Sequence, residues 1–316
     1  MEKRALGKSG LFIQPMVLGG NVFDWTIDEK TSFEVLDAYV DSGLDCIDTA
    51  DVYSYWKHNG VGGQSETVIG NWLKKSGKRN KVIIATKVGK QMGPDKKGLS
   101  RAYITQAVED SLKRLQTDYI DLYQSHDDDK ETPLAETLET YTDLIKQGKV
   151  RAIGASNYSG DRLKQAIEIS NTSGLAVYHT LQPEYNLYNR KDYETDLAGV
   201  CKTYDLGVIP YYALASGFLT GKYRSEADLN KSARGQGVKK YLDKRGFAIL
   251  KALDEVSTTY KTTPASVALA WLLARPGITA PIASATSVKQ LQSIISATQL
   301  NFDKQTLDLL NKASEY

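Results

Sequence analysis

Three short runs in this sequence each end in a side chain able to do acid–base work. Cys46-Ile47-Asp48-Thr49-Ala50 delivers a carboxylate, Ile83-Ile84-Ala85-Thr86-Lys87 an ammonium, and Asp121-Leu122-Tyr123-Gln124-Ser125-His126 an imidazole. Tyr53, in the stretch just after Asp48, adds a phenol. Singly, each has an ordinary explanation. An Asp or Lys at the end of such a run is commonly solvated, His126 leads into the acidic stretch Asp127-Asp128-Asp129, and Tyr53 is one of 19 tyrosines. Together they are harder to dismiss, because a charge that closes a near-apolar run is costly to desolvate unless it is paired. A phenol, with a reference pKa of about 10, gives up a proton reluctantly near neutrality. A neighbouring ammonium favours the phenolate, and a carboxylate holds that ammonium in place. His126 could then orient a carbonyl or share the proton. This is equipment for protonating an oxyanion as hydride reaches the carbon, and the hydride has to come from a cofactor.

The elements that carry these residues repeat along the whole chain. Buried strands are expected at residues 17–20, 46–49, 82–87, 119–124, 150–155, 176–181, 207–211 and 279–282. Helical periodicity lies between them: Phe33, Leu36 and Val40 before Gly43, then Val108, Leu112 and Leu115 before Asp118, then Leu134, Leu138, Tyr141 and Leu144 before Gly148. Strand and helix alternating eight times in 316 residues suit a closed (β/α)8 barrel better than an open doubly wound sheet. The expectation is one domain over residues 1–316, with a C-terminal helix and an N-terminal β-hairpin turning at Gly7-Lys8-Ser9-Gly10. In such a barrel the active site sits at the C-terminal strand ends. Asp48, Lys87 and His126 close three consecutive strands, so they should share one rim. Residues 221–245 turn polar and lose periodicity, which reads as a long loop after the seventh strand that closes over a ligand.

Composition narrows the function by exclusion. A formal net charge of +2 with scattered basic residues argues against a nucleic-acid or anionic-membrane partner. Cys46 and Cys201 stand far apart, so neither a disulfide framework nor a metal site is expected. The polar N-terminus has no apolar leader core, and no apolar run reaches the ~18 residues of a membrane span. A cytoplasmic location follows as an expectation, and the sequons at Asn157 and Asn171 are then incidental. Gly60-Val61-Gly62-Gly63 and Gly235-Gln236-Gly237 do not complete a dinucleotide fingerprint after a strand, and Gly217 to Lys222 is one residue short of a P-loop.

The residues match a known pattern. Asp48-Thr49-Ala50-Asp51-Val52-Tyr53, Thr86-Lys87 and the run from Asp118 to His126 resemble the aldo-keto reductase superfamily. So do Gly62-Gly63-Gln64-Ser65-Glu66, Leu112-Lys113-Arg114-Leu115, the run from Gly148 to Asn157, Gln182-Pro183-Glu184-Tyr185-Asn186 and the run from Tyr212 to Tyr223. The likeness spans nearly the whole chain in unbroken order. It is strongest to the bacterial branch related to general stress proteins and the potassium-channel β subunit. It implies Tyr53 as general acid, Asp48 and Lys87 tuning it, and His126 positioning the carbonyl. It also implies a nicotinamide site, with Ser156, Asn157 and Gln182 on the carboxamide, Tyr211 against the ring, and Gly20, Asn21, Val22 and Asp48 near the ribose. Ala213, Leu214, Ser216, Gly217, Leu219 and Lys222 would follow the pyrophosphate, and Ile282, Ser284, Ala285, Thr286, Ser287 and Gln290 the adenosine end, at a helix start suited to phosphate.

NADP(H) is the implied cofactor. Thr286 stands where many relatives carry an Arg for the 2′-phosphate, and Ser293-Ile294 where they carry Glu-Asn, which leaves NAD(H) open. The implied substrate is a small carbonyl or alcohol, facing Tyr53, His126 and a wall of Phe23, Trp25, Tyr55 and Trp56. Packing of the loops explains those four aromatics equally well. Two other functions remain open: a redox-sensing nicotinamide-binding protein with slow turnover, and a Schiff-base aldolase using Lys87.

Overall fold

Ten strands and ten α-helices form among the described residues, 2–57 and 61–316 of this computed structural model. Met1, at the head of the stretch inspected for a leader, and Gly60 of the first glycine cluster lie outside the described residues. β1 (Arg4–Ala5) and β2 (Phe12–Ile13) pair antiparallel, Arg4 opposite Ile13, which is the expected hairpin. There follow β3 (Val17–Gly19), α1 (Glu29–Asp41), β4 (Cys46–Asp48), α2 (Gln64–Ser76), β5 (Ile83–Val88), α3 (Arg101–Leu115), β6 (Ile120–Ser125), α4 (Leu134–Lys146), β7 (Val150–Ser156) and α5 (Gly160–Ser173). The chain continues through β8 (Tyr178–Gln182), α6 (Ala198–Tyr204), β9 (Gly207–Val208), α7 (Lys244–Thr259), α8 (Pro264–Leu273), β10 (Ile282–Ala283), α9 (Val288–Ala297) and α10 (Lys304–Ala313).

Strands β3 to β9 lie side by side in chain order, β10 flanks β3, and every neighbouring pair is parallel. The ring closes where the segment before β10 meets β9. Thr279 N donates to Val208 O (2.8 Å), Ile282 N to Pro210 O (2.9 Å), and Val208 and Ile278 form a parallel bridge. The result is the (β/α)8 barrel read from the alternation. β3, β4 and β8 are each one residue shorter than expected, and two strands fall short by more, β9 against 207–211 and β10 against 279–282. Pro210 and Pro281 explain both, because each lacks the N–H that a continuous ladder needs. Past Pro210 the chain still runs with β8, as Tyr211 N donates to Pro183 O (2.9 Å).

Local chemistry fixes the helix ends. Asp28, Ser100, Ser159, Asp243, Thr263, Ser287 and Asp303 each accept a first-turn backbone N–H, and each such cap contributes about 1 kcal/mol. The face that α1 buries differs from the expected stripe. Val35, Leu36 and Tyr39 are fully buried, whereas Phe33 and Val40 sit at the margin. Tyr39 wins its place by hydrogen bonding, since its hydroxyl lies 2.8 Å from Met16 O and 2.7 Å from Cys46 O and shares its one proton between them.

Alternation along the strands decides what enters the barrel. Cys46, Ala85 and Leu122 point inward, with Val17, Ala152, Ile209, Ala280 and Ile282, and the hairpin residues Leu6, Leu11 and Ile13 seal this floor. Ile47, Ile84 and Tyr123 point outward, into the layer between sheet and helices. A period of two then sends Asp48, Lys87 and Gln124 inward, one step above Cys46, Ala85 and Leu122. The apolar floor and the polar mouth are successive layers of one interior.

Residues 221–245 are not the structureless loop that their composition suggested. They fold into tight helical turns at Glu226–Lys231 and Gly235–Tyr241, anchored by buried Leu229, Val238 and Tyr241. The Tyr241 ring stacks on Phe218 (5.4 Å, 24°) and meets Tyr188 edge-on (4.8 Å). Turns this short carry no repeat long enough for hydrophobic periodicity to register. No helix among the described residues is long and apolar enough to cross a membrane.

Candidate active site

At the mouth of the barrel, the end of β4 and the loop after it converge on one buried cation at the end of β5. Lys87 Nζ donates to Asp48 Oδ2 (2.7 Å), Thr49 O (2.7 Å) and Tyr53 Oη (2.9 Å), so all three ammonium hydrogens are used. Lys87 is fully buried and Asp48 nearly so. Such a pair persists only when its remaining lone pairs are satisfied, and here they are. Asp48 Oδ1 accepts from Gln182 Nε2 (2.9 Å) and Gln124 Nε2 (3.3 Å), while Tyr53 Oη lies 3.4 Å from Asp48 Oδ2. Behind this cluster, Thr49 Oγ1 shares a hydrogen bond with Ser65 Oγ (2.8 Å), and Ser65 Oγ donates to Gly20 O (2.8 Å). Thus the start of α2 and the turn after β3 brace β4. Gln124 and Ser65 were not singled out in the sequence. The two-residue step along β6 from inward-facing Leu122 could have found Gln124.

The electrostatics correct one sequence expectation. The ammonium was expected to lower the phenol's pKa, yet burial, reinforced by the Asp48 carboxylate, pushes Tyr53 well above the ordinary phenol range. Burial also lowers Lys87 against the opposing pull of Asp48. The resting phenol is therefore firmly protonated. His126 sits beside it, ring centres 6.0 Å apart and edge-on at 74°. Burial first, then Lys87 and Lys90, hold His126 well below the usual imidazole range, so the ring is neutral. Its Nδ1 is buried without a partner, as is common at sites awaiting a ligand and rare in a finished core.

Several residues expected at a nicotinamide site are tied to one another by hydrogen bonds. Asn157, at φ 57°, donates from Nδ2 to His126 O (2.8 Å) and accepts from Tyr211 Oη (2.7 Å), joining β7 to the segment after β9. Ser156 Oγ donates to Gln182 O (2.9 Å). On the other side, Ser284 Oγ donates to Asn21 Oδ1 (2.7 Å), tying the segment after β10 to the Gly20–Val22 turn. Ala215, Ser216 and Gly217 all hold positive φ (48°, 57° and 94°) beside Lys222, a sharp backbone reversal of the kind that cradles anions. Ala213, Leu219 and Ala285 are fully buried. Thr286 N and Oγ1 both donate to Gln290 Oε1 (3.0 Å each), and Ser287 caps α9. Ile294 is buried in the core.

The aromatic wall is only partly a wall. Trp25 and Trp56 meet edge-on (5.2 Å), and Trp56 reaches the Tyr53 ring (6.5 Å) with half its surface exposed. Tyr55 is half-buried, whereas Phe23 is fully buried among core side chains. Of the four, Phe23 packs the loop. A cleft of about 1090 Å³ runs alongside α3, lined by Asp51, Met92 and Tyr103. The catalytic candidates face the mouth instead, so chemistry rather than volume locates the site.

A parallel barrel with a buried Asp–Lys–Tyr–His cluster at its C-terminal mouth is the framework of a carbonyl-handling oxidoreductase. The model of the aldo/keto reductase family matches residues 15–315. The chain is 37% identical to the uncharacterized oxidoreductase YrpG of Bacillus subtilis (strain 168), over 98% of this chain and 95% of that one. It is 35% identical to aldo-keto reductase YhdN of the same organism, covering 91% and 85%. A probable voltage-gated potassium channel subunit beta of Oryza sativa subsp. japonica is 30% identical, covering 92% and 89%. The chain belongs to the aldo/keto reductase family and is an oxidoreductase of the kind that uses nicotinamide cofactors on small carbonyl or alcohol substrates.

Proposed function

We propose that this chain reduces an aldehyde or ketone to the alcohol, with Tyr53 delivering the proton. The observation that carries the reading is the 2.9 Å contact of Tyr53 Oη with Lys87 Nζ, itself 2.7 Å from Asp48. The carbonyl oxygen lodges between Tyr53 Oη and the neutral His126 ring. Nicotinamide, when bound, supplies hydride to the carbonyl carbon, and Ser156, Asn157, Gln182, Tyr211 and residues 213–222 hold it. The substrate oxygen then carries the charge, and an alkoxide is a far stronger base than a phenolate. Tyr53 therefore gives up its proton in spite of its raised pKa. Lys87, already donating to the phenol oxygen, stabilises the phenolate left behind, and Asp48 keeps the site near neutrality. Solvent reprotonates Tyr53.

Lys87 itself is a poor candidate for a Schiff base, because all three of its hydrogens are donated to oxygens. NADP(H) is the favoured nucleotide on the family resemblance, with NAD(H) left open by residue 286. No guanidinium stands at Thr286, and the Thr286 donors already serve Gln290. The test is Tyr53→Phe with an aldehyde panel. Reduction is expected to fall by about a hundred- to ten-thousand-fold, the range for loss of a general acid, while nucleotide binding by fluorescence titration persists. A variant that keeps most of its turnover overturns the assignment.

A further inference from the structure

One cation at the mouth has no counterpart. Arg234 rises from the folded segment after β9, and its guanidinium carbon lies 5.0 Å from the centre of the Trp25 ring. The side chain is largely withdrawn from water, and Nη2 is buried with no hydrogen-bond partner. No carboxylate pairs with it among the described residues. The groups that act on it electrostatically are the phenols of Tyr212, Tyr53 and Tyr223. Other withdrawn arginines among the described residues find partners, either backbone carbonyls, as Arg4 does on Ile278 O and Thr279 O (3.2 Å each), or carboxylates. Arg114 meets Glu66 (2.7 Å), Arg162 meets Asp128 (2.8 Å) and Arg190 meets Glu194 (2.9 Å). A guanidinium left unpaired out of water is unfavourable unless something from outside completes it.

The segment is built to hold that side chain in place. Arg234 N donates to Ser232 Oγ (3.3 Å), which shares a hydrogen bond with Tyr223 Oη (2.6 Å). Gly235 lies so close to the Leu229 carbonyl that any Cβ there would collide with it. The tail of the segment is pinned by the Phe218–Tyr241 stack. Preset donors of this kind act without reorganising when their ligand arrives.

The geometry points to Arg234 as a substrate-recognition residue that binds an anionic group, a carboxylate or a phosphate, carried on the carbonyl compound reduced at Tyr53. Its position selects the substrate rather than the nucleotide. The guanidinium rests on Trp25, which also meets Trp56, and Trp56 in turn reaches the catalytic phenol. An anion seated there lies on the carbonyl side of the mouth. The planar fork suits a carboxylate or phosphate in two-point contact. The preferred substrates are then oxo-acids, semialdehydes or phosphorylated carbonyls rather than neutral aldehydes. This inference rests on the carbonyl-reduction reading above.

The test pairs para-carboxybenzaldehyde with para-tolualdehyde, equal in frame and different in charge, on wild type, Arg234→Gln and Arg234→Lys. The expected result is a wild-type preference for the carboxylate in kcat/KM. Arg234→Gln lowers that preference about 10- to 100-fold, as loss of a charged hydrogen bond does, and Arg234→Lys restores part of it. Benzoate, titrated by quenching of tryptophan fluorescence, is expected to bind wild type and to lose that binding in Arg234→Gln. An unchanged preference overturns the inference. So does a loss that tracks weakened NADPH binding, because the guanidinium then serves the nucleotide's phosphates. If wild type reduces neither aldehyde but benzoate binding still depends on Arg234, the anion site stands and the reductase reading falls.

Discussion

Replacing Lys87 by Met tests the cluster at its centre, because it removes one charge and leaves an isomorphous chain. The ammonium makes contacts of 2.7, 2.7 and 2.9 Å, and its loss leaves Asp48 with the two glutamine amides and the long 3.4 Å contact from the Tyr53 hydroxyl. Breaking a buried ion pair from one side typically costs about 3–5 kcal/mol, because the surviving charge is uncompensated. The two amide donors place the expectation at the lower end, about 3 kcal/mol. With an unfolding entropy of roughly 2 cal/mol/K per residue, that is a fall in Tm of about 5 °C for a chain this long. The double variant Lys87→Met/Asp48→Asn carries neither charge. Its loss is expected to be smaller than the sum of the single losses by about 2 kcal/mol, within the range seen for groups in direct contact. Catalysis should behave differently, because both variants lack the cation that stabilises the phenolate. Both should lose about a hundredfold or more in kcat. Chemical denaturation gives the stabilities, and NADPH oxidation gives the rates. A Lys87→Met protein as stable as wild type, or a double variant no better than additive, refutes the account of the pair. A double variant that recovers turnover refutes the role of the charge in the reaction.

Two further expectations concern pH and the nucleotide. Tyr53 titrates well above the ordinary phenol range and His126 well below the ordinary imidazole range. Reduction rates should therefore be flat from about pH 7 to 9, while alcohol oxidation, which needs the phenolate, should keep rising with pH; a reduction limb falling between pH 7 and 8 would contradict both shifts. The same depressed His126 adds stability that is complete above about pH 6.5 and is lost as pH falls toward its folded value, so His126→Asn should flatten the acid side of a Tm-against-pH curve. Thr286→Arg should improve the ratio of NADPH to NADH affinity by about 10- to 100-fold, the worth of a charged contact to a phosphate, and an unchanged ratio in fluorescence titration would mean that the 2′-phosphate lies elsewhere.

Local patterns carried much of this structure before any folding was considered. Period-two alternation within Cys46–Asp48, Ile83–Val88 and Ile120–Ser125 sends Asp48, Lys87 and Gln124 to one face, and glycine and cap residues mark where helices stop. Prolines 210 and 281 shorten two strands for a reason also written in the chain, the missing N–H. Periodicity failed in two places. In α1 a hydroxyl with two buried carbonyl partners drew Tyr39 inward and displaced the stripe. In residues 221–245 the turns were too short to show a repeat.

Residue types and their spacing determined which side chains reach the mouth, because a strand's alternation and a helix's repeat are properties of consecutive residues. Closure of the barrel decided what those side chains become there. Gln124 and Gln182 meet one oxygen of Asp48 from 76 and 134 residues away, Arg234 crosses to Trp25, and Tyr53 is held protonated where the neighbouring cation alone suggested the reverse. Desolvation and pairing depend on every element that surrounds a group. No local stretch of sequence encodes them, and they exist only once the ring of strands has closed.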